Sequence, residues 1–186
     1  MDQRALVERA QRGDRDAFAT ICKPAATRLD AAAWLILRDR ELARDAVQEA
    51  LIKAWRDMPG LRDPDRFDAW LHRLLVRSAI DEARRRRRRV IEVAVDPLVV
   101  PTSDDSISRF ADRDALNQAL SELSPEHRAL AVLHYYLGMP LPEAAGSLGI
   151  TLGAAKSRLH RAIGAMRRAL SAESTELPAA ADGGQA

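Results

Sequence analysis

Gly149-Ile150-Thr151-Leu152-Gly153-Ala154-Ala155-Lys156-Ser157-Arg158-Leu159-His160-Arg161-Ala162 is a glycine turn followed by a helical repeat. Ala155, Leu159, Ala162, Ile163, Met166 and Leu170 recur at three- and four-residue steps, which sets them on one inward face. Ahead of the turn, Pro142-Glu143 starts a short helix through Ala144, Ala145 and Leu148. Short helix, glycine turn and longer helix make the helix-turn-helix pattern. From Gly149 to Leu170 there is no acid, while Lys156, Arg158, Arg161, Arg167 and Arg168 are present. An ordinary solvated face mixes signs. A recognition helix needs an apolar side to anchor it and an outer side of donors for phosphates and base edges. The early residues of such a helix sit deepest in the groove, so Lys156 and Ser157 are the expected base readers. Arg161, a turn later, is expected on phosphate, and Arg158 suits either role. If Lys156 does not read bases, the role passes to Arg158 or His160.

Upstream, Ser124-Pro125-Glu126 is a helix start, with an N-cap, a proline at the first position and an acid near the positive end of the dipole. Leu130, Leu133 and Leu137 supply its apolar face, and Gly138 ends it. Residues 91–115 contain Pro97, Pro101 and the Thr102–Ser106 polar cluster with no helical period, and read as a linker. The tail 173–186 reads as disordered.

The first ninety residues carry two further helical patterns. Val47, Leu51, Ala54 and Trp55 fall on one face of a helix, with Arg44, Gln48, Glu49, Lys53 and Arg56 opposite. Pro59-Gly60 breaks it. Asp63-Pro64 restarts a helix in which Phe67, Trp70, Leu71, Leu74, Leu75 and Ser78 repeat the spacing. That helix runs into six consecutive arginines, Arg84 to Arg89, which cannot be buried together and mark a solvated or ligand-bound end. A basic run alone also suits a localisation tag or a membrane-surface patch.

Charge is segregated. Residues 1–90 carry a net +6, residues 91–115 a net −4, residues 116–170 a net +3, and residues 171–186 three acids alone. Two basic blocks around an acidic segment suggest two nucleic-acid-facing modules. The chain has 186 residues, 47% hydrophobic and 4% aromatic, which suits an all-α protein with a real core. The single cysteine, Cys22, excludes a disulfide framework and fits a reducing cytoplasm. No apolar run is long enough for a membrane span, and the charged N-terminus has no secretory core. His72, His127, His134 and His160 are scattered, with no metal-ligand spacing, and no phosphate-binding glycine loop occurs. Nothing here argues for a catalytic residue, a metal or a cofactor.

Together these segments resemble the bacterial extracytoplasmic-function sigma factors of the sigma-70 superfamily, from about residue 5 to residue 170. The stretch from Arg44 to Trp55 is similar to the family helix that docks on the clamp coiled coil of the RNA polymerase largest subunit. The stretch from Phe67 to Leu74, continuing to Asp81 and the arginines, resembles the segment that melts and reads the −10 element. The stretch from Leu123 to Ala162 resembles the helix-turn-helix that reads the −35 element.

The resemblance implies two small helical domains, 1–90 and 116–172, joined by a flexible acidic linker. It implies core-binding roles for Asp45, Gln48, Glu49, Lys53 and Trp55. It implies −10 roles for Arg66, Trp70, His72, Arg73, Arg77, Asp81, Arg84 and Arg85. It implies −35 roles for Thr151, Gly153, Lys156, Ser157, Arg158, His160 and Arg161. The implied partners are polymerase core, at its clamp and flap, promoter DNA and an anti-sigma factor, in the cytoplasm.

Two departures stand out. Arg77 occupies a position where the family commonly has a melting asparagine. Ala154 replaces a hydroxyl residue after the turn, removing a phosphate contact or a cap. Both point to altered promoter preference. The linker fits a segment threading the polymerase channel and fits a plain tether equally well. The other reading of the chain, a helix-turn-helix regulator independent of polymerase, leaves the two N-terminal blocks without a role.

Overall fold

The computed structural model describes residues 2–93, 120–121 and 123–176, and every described element is helical. Helix α1 spans Gln3–Gln11 and α2 spans Arg15–Cys22. Each starts at an aspartate, Asp2 or Asp14, whose carboxylate accepts from the backbone N–H of Arg4 or Ala17. Helix α3 covers Ala26–Leu37 and α4 covers Arg40–Asp57. Between them Arg38 takes the left-handed conformation at φ 58°, its N–H closing on Trp34 O at 2.8 Å. The Arg38 guanidinium lies 4.4 Å from the Trp34 ring centroid. Asp39 then caps α4 by accepting from Leu42 N–H at 3.1 Å.

The expected break at Pro59-Gly60 is a 3-10 turn, Met58–Gly60. Asp63 caps a second one, Pro64–Arg66, which feeds directly into α5 at Phe67–Val93. The arginine run is therefore part of α5. The helix passes the expected domain boundary at residue 90 because no breaker occurs before Pro97. The rest of the expected linker, 94–115, lies outside the described residues.

In the second half, α6 covers Pro125–Ala131 and leads into a π-helical turn, Val132–Tyr136. Helix α7 covers Leu141–Ser147 and α8 covers Leu152–Glu176. Gly138 at φ +72° and Gly149 at φ +66° make the two reversals that flank α7, a conformation that costs glycine nothing. Helix α8 continues past Glu173, where the tail was expected, since nothing before Pro178 stops it. Residues 177–186 lie outside the described residues.

The buried face of α4 is Ala43, Ala46, Val47, Ala50 and Ala54, and α4 packs along α5 and α3 through it. This corrects the sorting of its faces. Leu51 and Trp55 are only half-buried and border the same groove as Arg44 and Gln48. Alanine lets the helix axes approach closely, and the larger residues are displaced to the flank.

The core is continuous across the two halves. Leu29, Ile36, Phe67, Leu71 and Leu75 belong to one buried cluster with Ala129, Leu130, Leu133, Ala144 and Leu159. Leu35 of α3 also packs against a small cluster of Leu120, Leu123 and Ala162. Arg128 locks this seam. It is only 7% exposed, and backbone carbonyls accept its hydrogen bonds. Its Nε donates to Ile36 O at 2.6 Å, and its Nη1 donates to Leu120 O at 3.1 Å and Leu123 O at 2.9 Å. Burial, with Arg38 nearby, lowers its pKa to about 10, so the guanidinium remains charged near neutrality.

Candidate nucleic-acid interface

Thr151 caps α8: its Oγ1 accepts from Ala154 N–H at 3.2 Å. The cap expected to be lost at Ala154 is thus supplied three residues earlier. Ala155, Leu159 and Ala162 are buried, which fixes the helix's rotation. Thr151, Gly153, Lys156, Ser157, His160 and Arg161 are exposed, and Arg158 is half-buried. Arg161 folds back along the helix, its Nε donating to Ser157 O at 3.3 Å. All seven expected −35 residues therefore lie on the outer side and first turns of one helix. Arg158 and Arg161 also border a cleft shared with Ile80, Arg84, Ser124, Glu126, His127, Leu148 and Ile150. Burial, then Arg161 and Arg158, depress the pKa of His127 in that cleft.

The expected −10 residues of α5 divide. Phe67, Leu71 and Leu75 are fully buried, and Trp70 is half-buried with its ring 6.1 Å from Phe67. His72 is only 8% exposed and borders a separate cavity with Arg28 and Asp68, so it offers a DNA strand little surface. Burial, reinforced by Arg28, lowers its pKa. A histidine between two leucine-bearing positions reads as polar in sequence, but α5 rotates it towards α1 and α2. Arg77 and Asp81 are exposed and Arg73 is half-buried. Arg84 lies 3.9 Å from Glu126, Arg85 3.3 Å from Glu82, and Arg86 2.8 Å from Asp39.

Several of these cations reach across the seam. Arg73 Nη1 meets Glu143 Oε1 at 2.7 Å, and Arg66 lies 3.6 Å from Glu143 Oε2. Arg77 Nε donates to Ser147 O at 3.4 Å, and Arg28 Nη2 donates to Tyr136 O at 2.9 Å.

The five expected polymerase contacts also divide. Asp45 and Gln48 stand exposed on α4. Glu49 pairs with Lys53 at 3.3 Å, and Lys53 Nζ donates to Ser78 Oγ at 3.2 Å, which ties that lysine to α5. Trp55 meets Phe18 edge-on with centroids 5.2 Å apart. The pair floors a shallow apolar groove bordered by Asp30, Arg44, Val47, Gln48, Leu51 and Ile52. Ile52 is 54% exposed, the residue that sequence reasoning missed. The available signal was a β-branched apolar side chain four residues after Gln48, on the otherwise polar side of the helix.

The buried Cys22 thiol is pushed up to about 12 by desolvation, which leaves it protonated and inert. No group of three or more metal-ligating side chains occurs among the described residues.

A family model for sigma-70 region 2 matches residues 25–89, and one for sigma-70 region 4 matches residues 113–166. The chain is 37% identical over 135 residues to the ECF RNA polymerase sigma factor SigL of Mycobacterium tuberculosis, covering 71% of this chain and 76% of SigL. It is 30% identical over 141 residues to the RNA polymerase sigma factor SigV of Bacillus subtilis, covering 76% and 83%. Among solved structures, CnrH in complex with the cytosolic domain of CnrY matches with a TM-score of 0.65 at 28% identity, covering 92% of this chain and 98% of that one. The sigma factor RpoE of Bartonella quintana, in complex with the anti-sigma factor NepR, matches with a TM-score of 0.65 over 82% and 98% of the two chains. At 24% identity it supports the fold alone.

Proposed function

The chain belongs to the extracytoplasmic-function RNA polymerase sigma factors, and from that premise we propose how its surfaces divide the work of promoter-specific initiation. The observation that carries the reading is the pairing, in one chain, of a region 2 match with a region 4 match. A helix-turn-helix regulator needs only the second.

Residues 1–90 bind polymerase core and the −10 element, and residues 116–172 bind the −35 element. The groove of α4 is the docking surface: Asp45, Gln48 and Glu49 supply polar contacts, and Ile52 and Trp55 supply apolar area. Arg66 at the foot of α5, with Arg73, Arg77, Arg84 and Arg85 along it, tracks the non-template strand, with Trp70 beside them and Asp81 at their edge. Basic tracks with an aromatic neighbour suit unstacked single strands. On α8, Lys156 and Ser157 read bases in the major groove, and Thr151, Gly153 and Arg161 approach phosphate. Arg158 and His160 flank them.

The work is non-catalytic and takes place where polymerase is, in the cytoplasm. No helix among the described residues is long and apolar enough to cross a membrane. CnrH, at 28% identity, is in complex with the cytosolic domain of a second protein, CnrY, and a partner of the anti-sigma class is proposed here.

Run-off transcription with core enzyme on genomic fragments tests the reading. Defined transcripts that require both this chain and core are expected. Binding to duplex DNA without core, and no co-purification with it, would leave the independent regulator as the better account.

A further inference from the structure

One arginine of the run Arg84 to Arg89 stands apart from the rest. On α5 the stripe Leu75, Ala79 and Ala83 faces inward, and one further helical step along it is Arg86. Arg86 is half-buried, while the other five arginines of the run are exposed. Its Nη1 donates to Asp39 Oδ2 at 2.8 Å. The other oxygen of that carboxylate, Oδ1, accepts from Leu42 N–H and caps α4. A single carboxylate thus starts the helix that carries the docking groove and holds the arginine end of the helix that carries the −10 track.

Near the other end of α4, Lys53 Nζ donates to Ser78 Oγ of α5 at 3.2 Å, and Ser78 is buried. The start of α4 therefore meets a late residue of α5 and its end meets an earlier one, so the two helices run antiparallel. Ser78 and Arg86 lie roughly 12 Å apart along α5 at 1.5 Å per residue. Between them the face of α4 is mostly alanine, Ala43, Ala46, Ala50 and Ala54. Such small side chains form shallow ridges that hold register weakly. One polar contact would leave α4 free to pivot on that face, whereas two at this spacing fix its angle and its register.

We propose that Arg86 is a positioning residue: it touches neither polymerase nor DNA, and through Asp39 it fixes where the −10 helix lies once α4 has docked on core. The inference rests on the docking and −10 assignments made above. A guanidinium committed to a carboxylate must break that bond before it can meet a phosphate, so the strand meets the exposed arginines of the run instead. Loss of Arg86 shifts α5 relative to core without removing a DNA contact and without altering the docking groove.

The test uses the full chain assembled with core enzyme. Core affinity, promoter affinity at several salt concentrations and permanganate reactivity of the bound promoter are measured for wild type, Arg86→Ala, Asp39→Asn, their double variant and Arg86→Lys. Asparagine caps a helix as well as aspartate does, so Asp39→Asn removes the ion pair and keeps the cap. Arg86→Ala and Asp39→Asn should each lower the open fraction of bound promoter roughly threefold, and the double variant should lose no more than either. Core affinity should stay within about twofold of wild type and the salt slope should not change. Arg86→Lys should recover most of the loss. Arg84→Ala, which removes an assigned strand contact, should instead lower the salt slope by about one. A salt slope lowered by Arg86→Ala but not by Asp39→Asn would make Arg86 a DNA contact and overturn the inference. Wild-type open fractions in both single variants, with Arg84→Ala behaving as stated, would overturn it too and spare the −10 assignment. If Arg84→Ala leaves promoter binding and its salt slope unchanged, the −10 assignment falls and the inference falls with it.

Discussion

Single side chains carry two separable kinds of consequence here, one for DNA and one for stability. On α8, loss of a base-reading contact costs about 1–3 kcal/mol at one base pair, whereas loss of a phosphate contact weakens all sequences alike and lowers the salt slope by about one. Lys156→Ala in the holoenzyme should therefore change the preferred −35 sequence. Arg161→Ala should flatten the salt dependence and leave that preference intact. Selection from a −35 library at several salt concentrations distinguishes them. His72 belongs to the second kind. Its folded pKa lies below its unfolded value because burial disfavours the imidazolium. Between those values the unfolded chain binds more protons, so the stability contributed by His72 is present above about pH 6.5 and lost as pH falls through the folded pKa. Urea midpoints measured from pH 7.5 to 5 should fall with pH, and His72→Gln should reduce that slope. An unchanged slope would show that other groups account for it.

At the level of whole helices, the prediction concerns α4. Its groove joins Trp55, Phe18 and Leu51 to the exposed Ile52. Ile52→Asp should weaken core binding at least tenfold, by about 1.4 kcal/mol or more, with little change in thermal stability, because the side chain stands mostly in water before docking. Surface plasmon resonance against immobilised core, beside a melting curve, measures both quantities. How legible these helices were depended on how local their signals are. Asp63-Pro64, Ser124-Pro125 and Gly149 mark starts and turns by chemistry within three residues, and each appears where the sequence puts it. The buried face of α4 leaves a weak trace in the sequence because alanines line it, and alanine adds little to any hydrophobic pattern. The positions of His72 and Lys53 were also illegible, since each depends on how α5 is rotated against a neighbour distant in sequence. The convergence of Arg73 on Glu143 spans seventy positions and leaves no local trace.

At the scale of the whole molecule, the two helical domains share one buried apolar cluster. The cluster that runs from Leu29 and Ile36 to Leu130 and Leu133, and the three carbonyls held by Arg128, make the halves interdependent. Trp34, Trp55 and Trp70 all lie in the first half, and Tyr135 and Tyr136 in the second. Tryptophan emission and tyrosine near-ultraviolet dichroism therefore report separately, and in wild type their unfolding curves should coincide. Arg128→Leu takes the guanidinium donor from three carbonyls, of which Leu120 O keeps the Leu123 N–H, at a cost on the order of 2 kcal/mol or more, and should lower both midpoints or split them. Curves already separate in wild type would mean that the seam contributes little. The shared core also has a consequence in time, during synthesis. Residues up to Val93 leave the ribosome with the outer flank of α3 uncovered, and the residues that cover it emerge about 2–9 s later at 5–20 residues per second. For that interval the nascent chain shows Leu35 and Ile36 to whatever is nearby. Chains stalled with residues 1–93 clear of the exit tunnel should be captured by hydrophobic-binding chaperones more readily than chains stalled after all 186 residues have cleared it.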